Sequence, residues 1–123
     1  MLEEKKRWRL CRDFKKGKFC FLIGVDNWSI ELQKSEFYLL CSLLLRIDEQ
    51  LSSFRDKLMD EEFITLELEQ LPWYIELEGK KNEWSLRFVF ESKDQTRSFE
   101  MYWPIPIAQN LFFDIKKMWE SMD

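Results

Sequence analysis

The chain has 123 residues, 46% of them apolar and 16% aromatic, with only three Gly and three Pro. Such a composition fits one densely packed globular unit, far from the disordered class. The net charge is −4 and histidine is absent, which removes Ser-His-Asp and Cys-His nucleophile systems and the commonest metal ligand.

Charge is divided unevenly. Residues 1–18 carry eight Lys or Arg against three Asp or Glu, a surplus of +5, so the remainder carries −9. That asymmetry bears on partners and solubility, and little on fold. Within the basic segment Arg7, Arg9, Arg12, Lys15, Lys16 and Lys18 interleave with Trp8, Phe14 and Phe19. Cations that meet phosphates, beside rings on which bases stack, are what a site for single-stranded nucleic acid needs. The competing reading puts Trp8 and Phe19 in the core. It makes the basic strand a guard against edge-to-edge association.

Residues 8–12 alternate weakly as a strand, and 18–25 form a nearly continuous apolar run suited to a strand covered on both faces. Asp26-Asn27 makes a turn. Residues 28–33 alternate cleanly, with Trp28, Ile30 and Leu32 inward. Ser35 is placed to cap a helix that runs to about residue 59. Its apolar positions Phe37, Leu40, Leu44, Ile47, Leu51, Phe54 and Leu58 recur at spacings of three and four. The first half, widened by Tyr38, Leu39, Cys41, Leu43 and Leu45, is expected against a sheet, and the second half against a neighbouring helix.

Asp60, Glu61 and Glu62 follow that helix, where its dipole disfavours negative charge by about 0.3–1 kcal/mol each. A local rule broken without visible compensation marks a candidate partner site. The plainer reading is a solvated connector, paired with Lys57 or Arg55.

Three strands then fill residues 59–90. Ile64, Leu66 and Leu68 share a face, as do Trp73, Ile75 and Leu77, then Trp84, Leu86, Phe88 and Phe90. Opposite them lie Glu67, Glu69, Glu76, Glu78, Arg87 and Glu91. Arg87 is the main exception on an acidic face and joins the candidate partner-binding residues. Residues 96–103 add a fourth strand with Phe99, Met101 and Trp103 inward, stopped by Pro104 and Pro106. A second helix runs from Ile107 to the end. Its stripe of Leu111, Ile115, Met118 and Met122, beside Phe112 and Trp119, is expected to pack on the first helix.

The fold class is therefore α+β: two antiparallel sheets with two packed helices. The order is three or four strands, a helix, four strands and a helix. It divides a single domain into pseudo-equivalent units of about 1–59 and 60–123.

Chemistry is sparse. Cys11, Cys20 and Cys41 form an odd, irregular set, a poor disulfide framework that agrees with a cytoplasmic protein. Cys41 reads as a small core residue. Gly17, Gly24 and Gly79 stand alone, so no glycine loop cradles a phosphate. No run is long enough to span a bilayer, and the amino terminus lacks the apolar middle of a signal peptide. The expectation is a non-enzymatic binding module without metal or cofactor.

Several short runs carry a resemblance: Trp8-Arg9-Leu10, the stretch from Asp26 to Leu32 leading into Glu36, Met59-Asp60-Glu61-Glu62, Trp73, Ser85-Leu86-Arg87-Phe88, and Trp103-Pro104. Together they resemble a small family of uncharacterised cyanobacterial proteins, a domain of unknown function. The resemblance implies a fold similar to the Whirly-type regulators of transcription that bind single-stranded DNA, with two units of four strands and a helix and with crossing helices. Whirly proteins carry a lysine-glycine-lysine-alanine-alanine run that serves DNA binding and assembly. Lys16-Gly17-Lys18 matches its start, and Phe19-Cys20 replaces its alanines. Two partner classes follow. One is single-stranded nucleic acid on the basic amino-terminal strands. The other is a protein, held by the acidic sheet face and the end of the long helix.

Overall fold

Alternation between wet and dry side chains dictates sheets with one covered face, and the computed structural model, described here over residues 7–122, has two of them. The first is an antiparallel meander of β1 (Trp8–Arg12), β2 (Phe21–Val25) and β3 (Trp28–Leu32). The second is an antiparallel meander of β4 (Ile64–Gln70), β5 (Trp73–Lys80), β6 (Glu83–Glu91) and β7 (Ser98–Trp103). Helices α1 (Lys34–Arg55) and α2 (Ile107–Glu120) follow the two sheets in turn. The α+β architecture is as the patterning implies, with three strands in the first sheet.

Several boundaries differ from the sequence reading. β2 begins at Phe21, three residues late, because a 3-10 turn (Phe14–Lys16) and Gly17, at φ +98°, occupy the preceding loop. Helix α1 is capped at Gln33, not Ser35. The Glu36 carboxylate accepts from the Gln33 amide at 2.8 Å, which satisfies a backbone donor left over at the helix start. The helix ends at Arg55, short of residue 59. Past it the Lys57 and Leu58 amides both fold back on the Phe54 carbonyl, and the Lys81 ammonium takes the Leu58 carbonyl at 2.9 Å. β7 begins at Ser98, since Asp94 holds the preceding residues in a turn. α2 stops at Glu120.

The core joins both sheets to both helices. Phe21, Ile23 and Leu32 of the first sheet, Phe37, Leu40, Leu44 and Leu51 of α1, and Trp73, Phe88, Phe90 and Trp103 of the second are all buried. Each contributes about 1.5–3 kcal/mol of transfer free energy. Phe21 stacks on Phe37 at 4.1 Å, Phe88 lies 4.3 Å from Trp103, and Tyr38 meets Trp119 edge-on at 5.3 Å. The last contact joins the two helices as expected. However, α1 also rests on β4 and β5, and in its second half Ile47 and Leu51 lie by Leu77 and Leu86 of the sheet as well as Phe112 of α2, while Phe54 leaves the seam at 44% exposure.

Candidate nucleic-acid interface

The loop between β1 and β2 builds the most distinctive surface feature. Asp13 opens the 3-10 turn by accepting from the Lys15 amide at 3.1 Å, and its own amide donates to the Cys20 carbonyl at 2.8 Å. Gly17 then reverses the chain at a backbone angle that side chains resist. The turn pushes Phe14 outward to 55% exposure, with its edge on the buried Phe21 at 5.8 Å. Arg12 and Lys34 each lie 5.7 Å from the Phe14 ring centroid, and Lys34 is 5.5 Å from the Tyr38 ring as well. The result is a solvent-facing ring with two cations close over it, anchored through Phe21 to the core.

The six basic residues singled out in the sequence separate into two groups. Arg7 makes a two-pronged pair with Asp26 at 2.8 and 2.9 Å, which raises the Arg7 pKa and lowers that of Asp26, chiefly through the hydrogen bonds. Arg9 lies over Gly24 and donates to the Asp26 and Trp28 carbonyls at 3.0 and 2.8 Å. Lys16 pairs with Glu31. These three tie the first sheet together. Arg12, Lys15 and Lys18, by contrast, have no carboxylate partner among the described residues. Lys34 joins them and was missed in the sequence, where it stands one residue before the supposed cap. Its i, i+4 spacing to Tyr38 was the available signal. Phe19, expected on a strand, instead precedes β2 and is half-buried. Trp8 is half-buried too, and its indole donates to Asp114 of α2 at 2.6 Å.

The acidic candidates do not converge. Asp60 pairs with Lys81 at 3.2 Å and Glu61 with Lys80 at 3.0 Å, while Glu62 accepts from the Met59 amide at 3.2 Å. The partners are thus Lys80 at the end of β5 and Lys81 in the turn after it, not Lys57 or Arg55. They compensate the unfavourable charge at the end of α1. Arg87 lies on the outer face of the second sheet. It bridges Glu76 at 3.3 Å and Glu100 at 3.4 Å, and its guanidinium is 5.8 Å from the Tyr74 ring. Tyr74 donates to Glu76, and burial, then the charges of Glu76 and Glu67, raise its pKa. Across the strands Glu67 faces Glu76 directly.

A second concavity adjoins the basic loop. A cleft of about 470 Å³ is lined from the first half of the chain by Lys18, Phe19, Ser35 and Leu39, and from the second by Leu71, Pro72, Lys93 and Arg97. No group of three or more His, Cys, Asp or Glu is placed to hold a metal among the described residues. Burial pushes the Cys41 thiol up to about 12, so that thiol is an inert part of the core. No described helix is long and apolar enough to cross a membrane.

Residues 3–118 match the family described as Domain of unknown function (DUF1818), and the chain belongs to that family. Among solved structures it is similar to a protein with unknown function from the cyanobacterium Prochlorococcus sp. NATL2A, described as a member of the DUF155 family. The two share 36% identity and a TM-score of 0.83, over 91% of this chain and 93% of the other. No curated protein matches.

Proposed function

We propose that this DUF1818 chain is a non-enzymatic module that binds single-stranded nucleic acid on the surface around Phe14. One observation carries the reading: Phe14 is an exposed aromatic ring with Arg12 and Lys34 each 5.7 Å from its centroid. A base stacks on such a ring whatever its sequence, and the flanking cations take the phosphates on either side. Lys15 and Lys18, from the same loop, extend the track. The likeness to Whirly-type regulators belongs to the same proposal. It accords with the Lys16-Gly17-Lys18 loop, although here Lys16 is spent on Glu31.

Fluorescence anisotropy with labelled single-stranded DNA and RNA at about 50 mM salt tests the reading. Phe14→Ala should weaken binding about tenfold, the loss of one stacked base at ~1–3 kcal/mol. Unchanged affinity in that variant, or no binding by the parent chain, refutes it.

The alternative is a protein adaptor, and its best observation is the outer face of the second sheet, where Tyr102 is 53% exposed beside Glu100 and Arg87. Phosphates are repelled from that face, and a basic protein surface is attracted to it. A specific partner retained by the parent chain and lost on Glu100→Lys would favour it.

A further inference from the structure

The cleft between the two halves of the chain is not needed for stacking on Phe14, and its lining has its own chemistry. Lys18 comes from the β1–β2 loop and Lys93 from the β6–β7 loop, and neither has a carboxylate partner among the described residues. Of the carboxylates on the wall, Glu36 is taken by Arg97 at 2.7 Å. Asp94 is held by its own loop through Oδ1, which accepts from Ser92 Oγ at 2.8 Å and Thr96 Oγ1 at 2.7 Å. The remaining polar groups include the Ser35 hydroxyl and Gln33.

Leu39, Leu71 and Pro72 give the cleft an apolar side, and Leu71 is a large side chain left 69% exposed at its rim. A volume of about 470 Å³ lies within the usual range for small-molecule sites, roughly 300–1,000 Å³. The Arg97 guanidinium, bonded to Glu36 and to the Glu31 carbonyl at 2.9 Å and lying 4.8 Å from the Phe19 centroid, braces the wall. Such a lining suits a ligand with an apolar body for Leu39, Leu71 and Pro72 and a compact anion for the ammonium groups, which act as point charges.

We infer that this cleft binds a nucleoside monophosphate, with the phosphate on Lys18 and Lys93 and the base against Leu39, Leu71 and Pro72. The inference extends the stacking reading, because Lys18 belongs to both surfaces. The ligand is either a free nucleotide or the terminal nucleotide of a strand bound on Phe14.

The test titrates adenosine 5′-monophosphate, and adenosine as control, into the full chain while amide shifts are followed by NMR. Saturable shifts at Ser35, Leu39 and Lys93, at least about tenfold weaker with adenosine and lost in Lys93→Glu, support the site. Shifts confined to the neighbourhood of Phe14, or none that saturate, overturn it for the free nucleotide. A second arm compares a linear oligothymidylate bearing a 5′-phosphate with the same oligomer closed into a circle. Tighter binding of the linear form, abolished by Lys93→Glu, assigns the cleft to strand ends. Equal binding of both forms, without a response to the monophosphate, overturns the inference and leaves stacking on Phe14 intact. Binding of the linear form with none of the circle strikes the stacking reading alone.

Discussion

Arg97 Nη1 lies 2.7 Å from Glu36 Oε2, joining the loop before β7 to the first turn of α1. Glu36 serves twice, since its other oxygen caps the helix at the Gln33 amide. Arg97 serves further still. It donates to the Glu31 carbonyl, and its guanidinium is 4.8 Å from the Phe19 ring centroid and 5.2 Å from that of Phe90. A planar fork suits those demands and an ammonium does not. The two side chains are 26% and 11% exposed, so breaking the pair leaves a largely desolvated carboxylate.

Arg97→Met should therefore cost about 2–3 kcal/mol, and Arg97→Lys about 1–2 kcal/mol, in urea unfolding. A double-mutant cycle with Glu36→Gln should return a coupling above about 1 kcal/mol. Additive costs would show that the ion pair does not join the halves.

Two glycines make an ordered comparison. Gly79 sits at φ +147°, and a Cβ there falls 2.5 Å from the Glu83 carbonyl and 2.6 Å from Trp84 Cα, both backbone atoms of the neighbouring strand. Gly17, at φ +98°, has open space around it. Gly17→Ala meets only the backbone strain, about 1–3 kcal/mol. Gly79→Ala meets the strain and a clash in β5, so its loss in urea unfolding should exceed that of Gly17→Ala. Equal losses would mean that β5 and β6 can part locally without cost.

The strands and helices were legible because their signals are local. Trp73, Ile75 and Leu77 announce a covered face by period two, and Leu40, Leu44, Ile47 and Leu51 announce one by spacings of three and four. The free and the committed cations were not legible. Nothing near Arg7 or Lys16 in sequence distinguishes them from Arg12 or Lys15; the partners, Asp26 and Glu31, arrive through the hairpin register and the loop path. The meeting of Lys34 with Phe14 is equally non-local, spanning two strands and two turns. Helix ends were misplaced for a related reason. Ser35 is a good cap by type, yet Glu36 was already engaged with Arg97 and the Gln33 amide, and that geometry sets the start of α1.

The β6–β7 loop carries a titration that reads its own geometry. Asp94 accepts from the Thr96 hydroxyl, the Ser92 hydroxyl and the Thr96 amide, and these bonds lower its pKa from 3.8 to about 2. A depressed folded value means that the contribution of Asp94 to stability is complete above the unfolded pKa of about 3.8. It is lost as pH falls towards 2. Carbon-detected NMR should find the Asp94 carboxyl titrating near 2, and Thr96→Val should move it upward. A midpoint near 4, the ordinary aspartate value, would show that the loop bonds do not hold in solution.

Counting the free cations turns the partition into a number. Each phosphate neutralised on a single strand adds about −0.7 to the slope of log K against log salt. Contacts by Arg12, Lys15, Lys18 and Lys34 predict a slope of about −3, and adding Arg7, Arg9 and Lys16 makes it about −5. Those last three are already bonded to Asp26, to backbone carbonyls and to Glu31. Recruiting any of them requires breaking a contact that holds the first sheet. The expected slope is therefore the shallower one. Arg12→Ala should reduce it by about 0.7, whereas Arg7→Ala should leave it unchanged and lower stability instead. A slope near −5 that falls on Arg7→Ala would mean that Asp26 yields its arginine to the strand. The interface would then centre on the β2–β3 turn, away from Phe14.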